Sequence, residues 1–247
     1  MANEGLAKLF FELASETRLS ILEHLQKENL KMQEIARCLD MTATEAFRQL
    51  ERLREASLVQ RLPDGAFTIS QFGKLVLQAS SSLNVISKNK DYLSKHDLIQ
   101  LPARFVDRLG ELSRATLTTN VVESLNKGQR IFLEAEEYGW GMAEGVVPEQ
   151  MESMMTQRIS KGFKIKVIIP ESLILSQSSP AEIARNMEVR SLPSLPAIIA
   201  LTEKEAAVTF PFVEGRMDYI GFTGKDLAFH GWAKDLFLYF WERAKRA

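Results

Sequence analysis

The sequence predicts an α/β protein in two parts: a mainly helical N-terminal domain with a β-hairpin, and a C-terminal α/β domain whose mixed sheet is flanked by helices. Three observations lead there. Up to about residue 80, short stretches carry apolar residues at helical spacing, and one Asp-Gly turn separates alternating runs. Beyond Pro102 the spacing alternates between strand and helix periods. Between the two lies the one shift in composition, the Ser/Asn/Lys-rich stretch Ser80–Lys95. With 247 residues the chain is long enough for two domains, and 45% hydrophobic against 26% charged residues suits a globular chain with a core. We place the boundaries at 1–78, 79–101 and 102–247. The middle segment is a helical connector, because Leu75, Ala79, Leu83 and Ile86 recur at spacings of three and four.

Leu6, Leu9, Phe10 and Leu13 form one helical stripe, and a second helix carries Leu22 and Leu25 behind the capping residue Ser15. Met32, Ile35, Ala36 and Leu39 mark a third helix. After the turn Asp40-Met41, Thr42-Ala43-Thr44-Glu45 supplies a hydroxyl for an orphan amide and a Glu three residues on, a capping box. The helix it opens turns Ala46, Leu50 and Leu53 inward. Leu58–Leu62, the turn Pro63-Asp64-Gly65 and Ala66–Ile69 then read as a hairpin. Helix, helix–turn–helix and hairpin in this order is the layout of a winged helix-turn-helix, where one helix enters the major groove while its partner braces on the backbone.

FFELASETRLSILEHL and MQEIARCLDMTATEAFRQLERLREASLV resemble the ArsR-like winged-helix regulators, archaeal ones above all, over about residues 6–78. The resemblance implies Thr42–Ala56 as recognition helix and Arg61–Phe67 as wing. The DNA-binding residues are then Thr42, Thr44, Glu45, Arg48, Gln49, Arg52, Arg54 and Arg61. Of these, Thr44, Glu45, Arg48 and Gln49 face bases, and the other arginines face phosphate or the minor groove. Metal-sensing relatives use paired cysteines; here Cys38 is the single cysteine, so no metal is expected, and Cys38 is read as a small half-buried hydrophobe. Phe47 stands where relatives carry a small polar residue. Inward packing is expected over contact with thymine methyl groups.

Charge gives a weaker signal. Residues 1–80 hold ten Lys/Arg against eleven Asp/Glu, a net of -1, which is a poor footprint for a DNA binder. Arg48, Arg52, Arg54 and Arg61 nevertheless cluster on the recognition helix and wing, and a homodimer presents each twice. The alternative is that they pair with Glu45, Glu51 and Glu55 on a solvated face.

In the C-terminal part, Arg130–Ala135 reads as a strand. Pro148 opens a helix carrying Met151, Met154, Met155 and Ile159 that ends at Lys161-Gly162. Phe163, Ile165, Val167 and Ile169 alternate with Lys164 and Lys166 up to Pro170, so strand–helix–strand predicts a right-handed parallel unit. Met187–Leu192, Ala197–Leu201, Ala206–Phe210 and Met217–Phe222 are further strands. The last helix, roughly Asp226–Arg246, carries Trp232, Leu236, Phe237, Phe240 and Trp241, a stripe expected in the core or a dimer interface. HDLIQLPARFVDRLGEL and VEGRMDYIGFTGKDLAFHGWAKDLFLYFWERAKR resemble the FilR1 middle domain, found behind archaeal winged helices and related to the phospholipase D-like fold. The resemblance covers about residues 95–246 and is most specific at Asp218-Tyr219 and Trp232–Trp241. It implies an effector-sensing or dimerising domain.

Phospholipase D chemistry needs a His with a Lys two residues on, and none of His24, His96 and His230 has one. HExxH, a P-loop, GxSxG and a GxGxxG before a helix are missing too. No catalysis, cofactor or metal is therefore expected, and His96-Asp97 is read as capping or orienting a helix. A small-molecule effector is the candidate ligand. Strand ends in open α/β sheets commonly meet ligands, which points to Tyr138, Trp140, Met142 and Glu144, with Arg190 and Tyr219 contributing; aromatic packing under a loop is the plainer reading. The longest apolar runs, Val167–Ile169 and Leu236–Phe240, fall far short of the roughly 20 residues a bilayer demands. Glu4 precedes the first apolar residues without a basic leader. The expectation is a homodimeric, cytoplasmic transcription regulator that binds double-stranded DNA and no membrane. Two rivals stand beside it: a winged helix that docks on proteins of the transcription machinery, and a ligand-binding enzyme of phospholipase D-like fold.

Overall fold

A computed structural model of the chain describes residues 3–145, 157–158, 160, 162–176 and 187–246. The fold is mixed α/β, and the chain divides between Ser80 and Ser81 into two compact units.

The first unit is a winged helix-turn-helix: α1 (Glu4–Leu13), α2 (Glu16–Lys27), α3 (Met32–Cys38), α4 (Ala43–Glu55), the hairpin β1 (Val59–Arg61) and β2 (Phe67–Ile69), and the start of α5 (Gln71–Lys88). Ser15 caps α2 through the amide of Arg18, and the Thr42 hydroxyl accepts from the Glu45 amide at 3.2 Å to close the first turn of α4. Ile21, Leu22 and Leu25 of α2, Ile35 of α3, Leu50 and Leu53 of α4, and Val59, Phe67 and Ile69 of the hairpin meet in one core. Gly65 takes a φ of 86° in the wing turn, a conformation open to glycine at no steric cost. A bridge from Leu30 to Phe67, with N–H···O distances of 2.8 and 3.1 Å, ties the base of the wing to the segment before α3. Leu9 and Leu13 of α1 lean on the core, whereas Leu6, Phe10 and Phe11 remain exposed. Cys38 is exposed as well, contrary to expectation. It ends a seven-residue helix in which Ile35 and Ala36 take the inner face.

The second unit holds α6 (Lys90–Leu93), α7 (Ala103–Val106), β3 (Thr116–Leu117), α8 (Val121–Leu133), β4 (Tyr138–Met142), β5 (Lys164–Pro170), α9 (Glu171–Ser176), β6 (Glu188–Leu192), β7 (Ile198–Thr202), β8 (Ala206–Pro211), β9 (Met217–Gly224), α10 (Leu227–Arg243) and β10 (Lys245–Arg246). Its described strands form one sheet in the order β10-β6-β5-β4-β7-β8-β9-β3. The β4–β5 and β5–β6 pairs are parallel and the others antiparallel. On one face α10 buries Phe229, Trp232, Leu236, Phe237 and Trp241 with Met142, Ile168, Leu201, Val208 and Phe210. On the other, Ile131 of α8 meets Ala200 and Ala207. The aromatic stripe of the last helix is therefore core, with Phe240 half-buried at its margin.

Several expectations change. Residues 130–133 form the end of α8 and not a strand: Asn120 caps the helix, and Ser124 and Ile131, seven residues apart, share its buried side. The predicted parallel pairing is present with Tyr138–Met142 as its first strand. Residues 81–101, read as part of a connector, give Val85, Tyr92, Leu98 and Leu101 to the core of the second unit. The stripe Leu75, Ala79, Leu83 and Ile86 is exposed, and Val76 and Val85 turn inward instead. Pro148, Met151, Met154, Met155, Ile159 and Lys161 lie outside the described residues. The last helix stops at Arg243, and Lys245-Arg246 pair with β6.

Candidate nucleic-acid interface and ligand cleft

On α4, Ala46, Leu50 and Leu53 are fully buried, which leaves an outer face carrying Thr44, Phe47, Arg48 and Arg54. Phe47 is 55% exposed, so the inward packing expected of it does not occur. The inner arc is already filled by Ala46, Gln49, Leu50 and Leu53, and at about 100° per residue position 47 falls outside it. Gln49, expected to face bases, is buried, and its side-chain oxygen accepts from Arg18 Nη1 at 3.2 Å. Arg18 is itself buried, donating to the Glu12 and Phe11 carbonyls at 2.6 and 2.8 Å. Burial pulls its pKa below the ordinary guanidinium value, with Glu12 opposing. Arg52 binds both oxygens of Glu12, at 2.7 and 3.1 Å, and lies over the Phe11 ring. That carboxylate raises its pKa. Arg52 thus braces α1 against α4 and is not a free phosphate ligand. Arg54 pairs with Glu51 in the same two-oxygen fashion, whereas Arg48 and Arg61 are exposed and form no ion pair among the described residues. Sequence reasoning missed Arg18, since a lone arginine in an amphipathic helix looks like any solvated charge.

In the second unit strand alternation divides the candidate effector residues. Tyr138, Trp140 and Met142 face α10: Trp140 stacks on Phe237 at 5.4 Å between centroids, and Met142 is fully buried. Arg190 lies on that side too, its guanidinium 4.5 Å from the Trp241 centroid and its Nη1 donating to the Trp241 carbonyl. Gly139 and Gly141 face the opposite way. They line a cleft of about 310 Å³ beneath α8, together with Glu144 and Tyr219. Tyr138, Trp140, Met142 and Arg190 therefore do not converge with Tyr219.

The His96 ring is buried between Tyr92 and Phe212, at centroid distances of 3.7 and 4.8 Å. Its Nδ1 lies 2.6 Å from the Tyr92 carbonyl and its Nε2 2.9 Å from Asp218 Oδ2. Asp218 Oδ1 accepts from the amides of Tyr219 and Ile220 at 2.7 and 3.2 Å. A carbonyl can only accept, so Nδ1 carries a proton. Asp97, the neighbour with which His96 was grouped, caps a separate turn through the Ile99 amide. The Tyr92 hydroxyl donates to the Ile220 carbonyl at 2.9 Å, and burial pushes its pKa up. His230 Nε2 sits 2.6 Å from the Thr202 carbonyl. Among the described residues no three His, Cys, Asp or Glu gather to hold a metal, and no helix is long and apolar enough to cross a membrane.

A family model described as the HVO_A0261 N-terminal domain matches residues 6–90. Among solved structures, the chain is similar to TrmBL2, described as an archaeal chromatin protein with a novel mode of DNA binding, at 16% identity over 89% of this chain and 88% of that one, with a TM-score of 0.45. It is similar to NucT from Helicobacter pylori at 14% identity over 54% of this chain and 99% of that one, with a TM-score of 0.41. The S-adenosylmethionine-dependent methyltransferase SibL gives 14% identity over 79% and 68% of the two chains and a TM-score of 0.30. No curated protein matches.

Proposed function

We propose that this chain is a homodimeric, cytoplasmic, DNA-binding transcription regulator. On this reading an ArsR-like winged helix reads a duplex, and a FilR1-like α/β domain senses a small-molecule effector or dimerises. The observation that carries it is the outer face of α4: Thr44, Phe47 and Arg48 are exposed while Leu50, Leu53, Gln49 and Arg52 hold the helix from beneath. A helix anchored along one side and free along the other fits the major groove, where Arg48 reaches the acceptors of guanine and Phe47 meets thymine methyl groups. Thr42 sets the helix start, Glu45 and Thr44 lie in its first turn, and Arg61 on the wing reaches the adjacent phosphates. The exposed apolar residues Leu6, Phe10 and Phe11 of α1 support a dimer. We assign no catalytic role.

The test is fluorescence anisotropy on duplexes recovered by genome-wide binding-site mapping, titrated across salt concentrations. The logarithm of affinity falls linearly with the logarithm of salt if phosphates are contacted. Binding that is absent, or indifferent to salt, overturns the reading. It would favour docking on a protein partner, for which the exposed Phe47 and the neutralised Arg54 are the supporting features.

A further inference from the structure

We infer that the second unit binds a small, uncharged, apolar molecule bearing a hydroxyl or carbonyl group in the cleft between α8 and the sheet, with Ser124 as its hydrogen-bond partner. The cleft holds about 310 Å³, at the small end of ligand pockets. Gly139, Gly141, Ala200 and Ala207 pave part of its sheet side with small residues, and Ile165, Val167, Thr209 and Tyr219 of the sheet line it too. Two features of α8 have no packing explanation. Ser124 is only 8% exposed and lines the cleft, yet its hydroxyl has no hydrogen-bond partner among the described residues. A helical serine commonly returns its hydroxyl to the carbonyl four residues back; the Asn120 carbonyl accepts the Ser124 amide at 3.1 Å, the ordinary helical bond, and none from the Ser124 hydroxyl. The hydroxyl is not sealed off, since the fully buried side-chain polar atom without a partner among the described residues is Trp140 Nε1 on the other face of the sheet; the Ser124 hydroxyl opens to the cleft, where an incoming hydroxyl or carbonyl group can pair with it. Gly128, four residues on and so on the same face, also lines the cleft. A Cβ there meets nothing within 4 Å, so the neighbours do not require a glycine at a position where it weakens the helix. Its effect is to leave room.

The lining chemistry selects the ligand. No Lys or Arg borders the cleft among the described residues, and its ionisable members are Glu144 and Tyr219. Among the described residues an anion finds no counter-charge there and meets a carboxylate. Apolar walls from Phe132, Ile165 and Val167 suit an uncharged body. Thr209 donates its own proton to the Asp218 carbonyl at 2.8 Å and is left as an acceptor for a ligand hydroxyl. The inference gives chemical character to the effector assigned to this unit, and it rests on that reading only for its regulatory consequence.

Two probes of matched ring shape test it on the full chain by fluorescence titration: 2-naphthol, uncharged, and 2-naphthoate, its carboxylate counterpart. 2-Naphthol binds saturably and 2-naphthoate at least tenfold more weakly. Gly128→Leu, whose side chain fills open space, abolishes binding with helical circular dichroism intact. Ser124→Ala weakens it about fivefold, the worth of one net hydrogen bond. The inference is overturned if 2-naphthol does not saturate, if both probes bind alike, or if either folded variant binds as the parent does. A saturating probe that leaves duplex affinity unchanged supports the site and overturns the effector reading instead.

Discussion

Arg48 and Gln49 are neighbours in sequence with opposite fates, and nothing in their side chains announces which one leaves the surface. Gln49 goes inside because Arg18 is there to meet its oxygen, a pairing across 31 residues that a linear reading cannot supply. Arg48 stays outside without an ion-pair partner among the described residues. Arg48→Ala is therefore expected to weaken specific duplex binding by about 1–3 kcal/mol and to relax selectivity at one base pair. Gln49→Ala should instead lower thermal stability while leaving base preference alone, since it strands part of Arg18. Anisotropy and denaturation curves on both variants separate the two, and a base-preference change for Gln49→Ala with unaltered stability refutes the assignment. His96 makes the same point in the second unit. Its acid partner is Asp218, 122 residues away, and not the adjacent Asp97. Asp218→Ala removes the group that pairs with His96 Nε2 and with two backbone amides, and leaving such buried partners unsatisfied costs about 1–3 kcal/mol. Urea denaturation measures it; a loss well under about 1 kcal/mol would show that Asp218 does not anchor these groups.

Elements with a clean period were legible and short apolar runs were not. The helix–turn–helix and the wing declared themselves through a Thr cap, apolar residues at helical spacing and an Asp-Gly turn, all local signals. Ile131-Phe132-Leu133 is too short to distinguish a strand from the last turn of a helix, and what decides it is the cap at the other end of α8. There Asn120 accepts from the Glu123 amide at 2.8 Å, and Glu123 accepts from the Thr119 amide and hydroxyl at 3.1 and 2.9 Å. With the ammonium of Lys127 beside it, these bonds hold the Glu123 carboxyl at about 2, against the usual 4.5. A pKa depressed in the folded state means that its contribution is complete above pH 4.5 and is lost as the pH falls toward 2. Between those limits the parent protein should lose stability faster than Glu123→Gln, which has no proton to take up. Thermal melts of the two at matched pH check this, and parallel curves defeat it. The same strand logic shows why the aromatic effector candidates failed to converge. Tyr138, Trp140 and Met142 were singled out as residues following the first strand, whereas they lie within β4, and which face of β4 receives a helix and which a cleft depends on α8 and α10, far away in sequence.

For the whole molecule, charge is the quantity that a DNA-binding reading must overcome. The first unit carries ten cations against eleven anions. Of the four arginines on or near the proposed reading face, Arg52 and Arg54 are already paired with Glu12 and Glu51. One copy then offers Arg48 and Arg61 to phosphates and bases, too few for tight binding when each neutralised phosphate contributes a limited share of the affinity. On the proposed reading, two copies related by two-fold symmetry double that set and place recognition helices in successive grooves, so that association makes the interface sufficient. Leu6, Phe10 and Phe11 are the proposed surface for it: α1 leaves these three exposed while Leu9 and Leu13 already serve its own core. The chain is therefore expected to sediment at twice its monomer mass at micromolar concentration, and Phe10→Glu to shift it toward the monomer. If dimerisation supplies the missing contacts, that variant should also lose duplex affinity and show roughly half the parent's salt slope, although Phe10 lies on α1 and not on the reading helix. A monomeric parent with a steep salt slope would remove the dimer and keep the DNA. A dimer whose affinity is untouched by Phe10→Glu would place the subunit contact on some other surface.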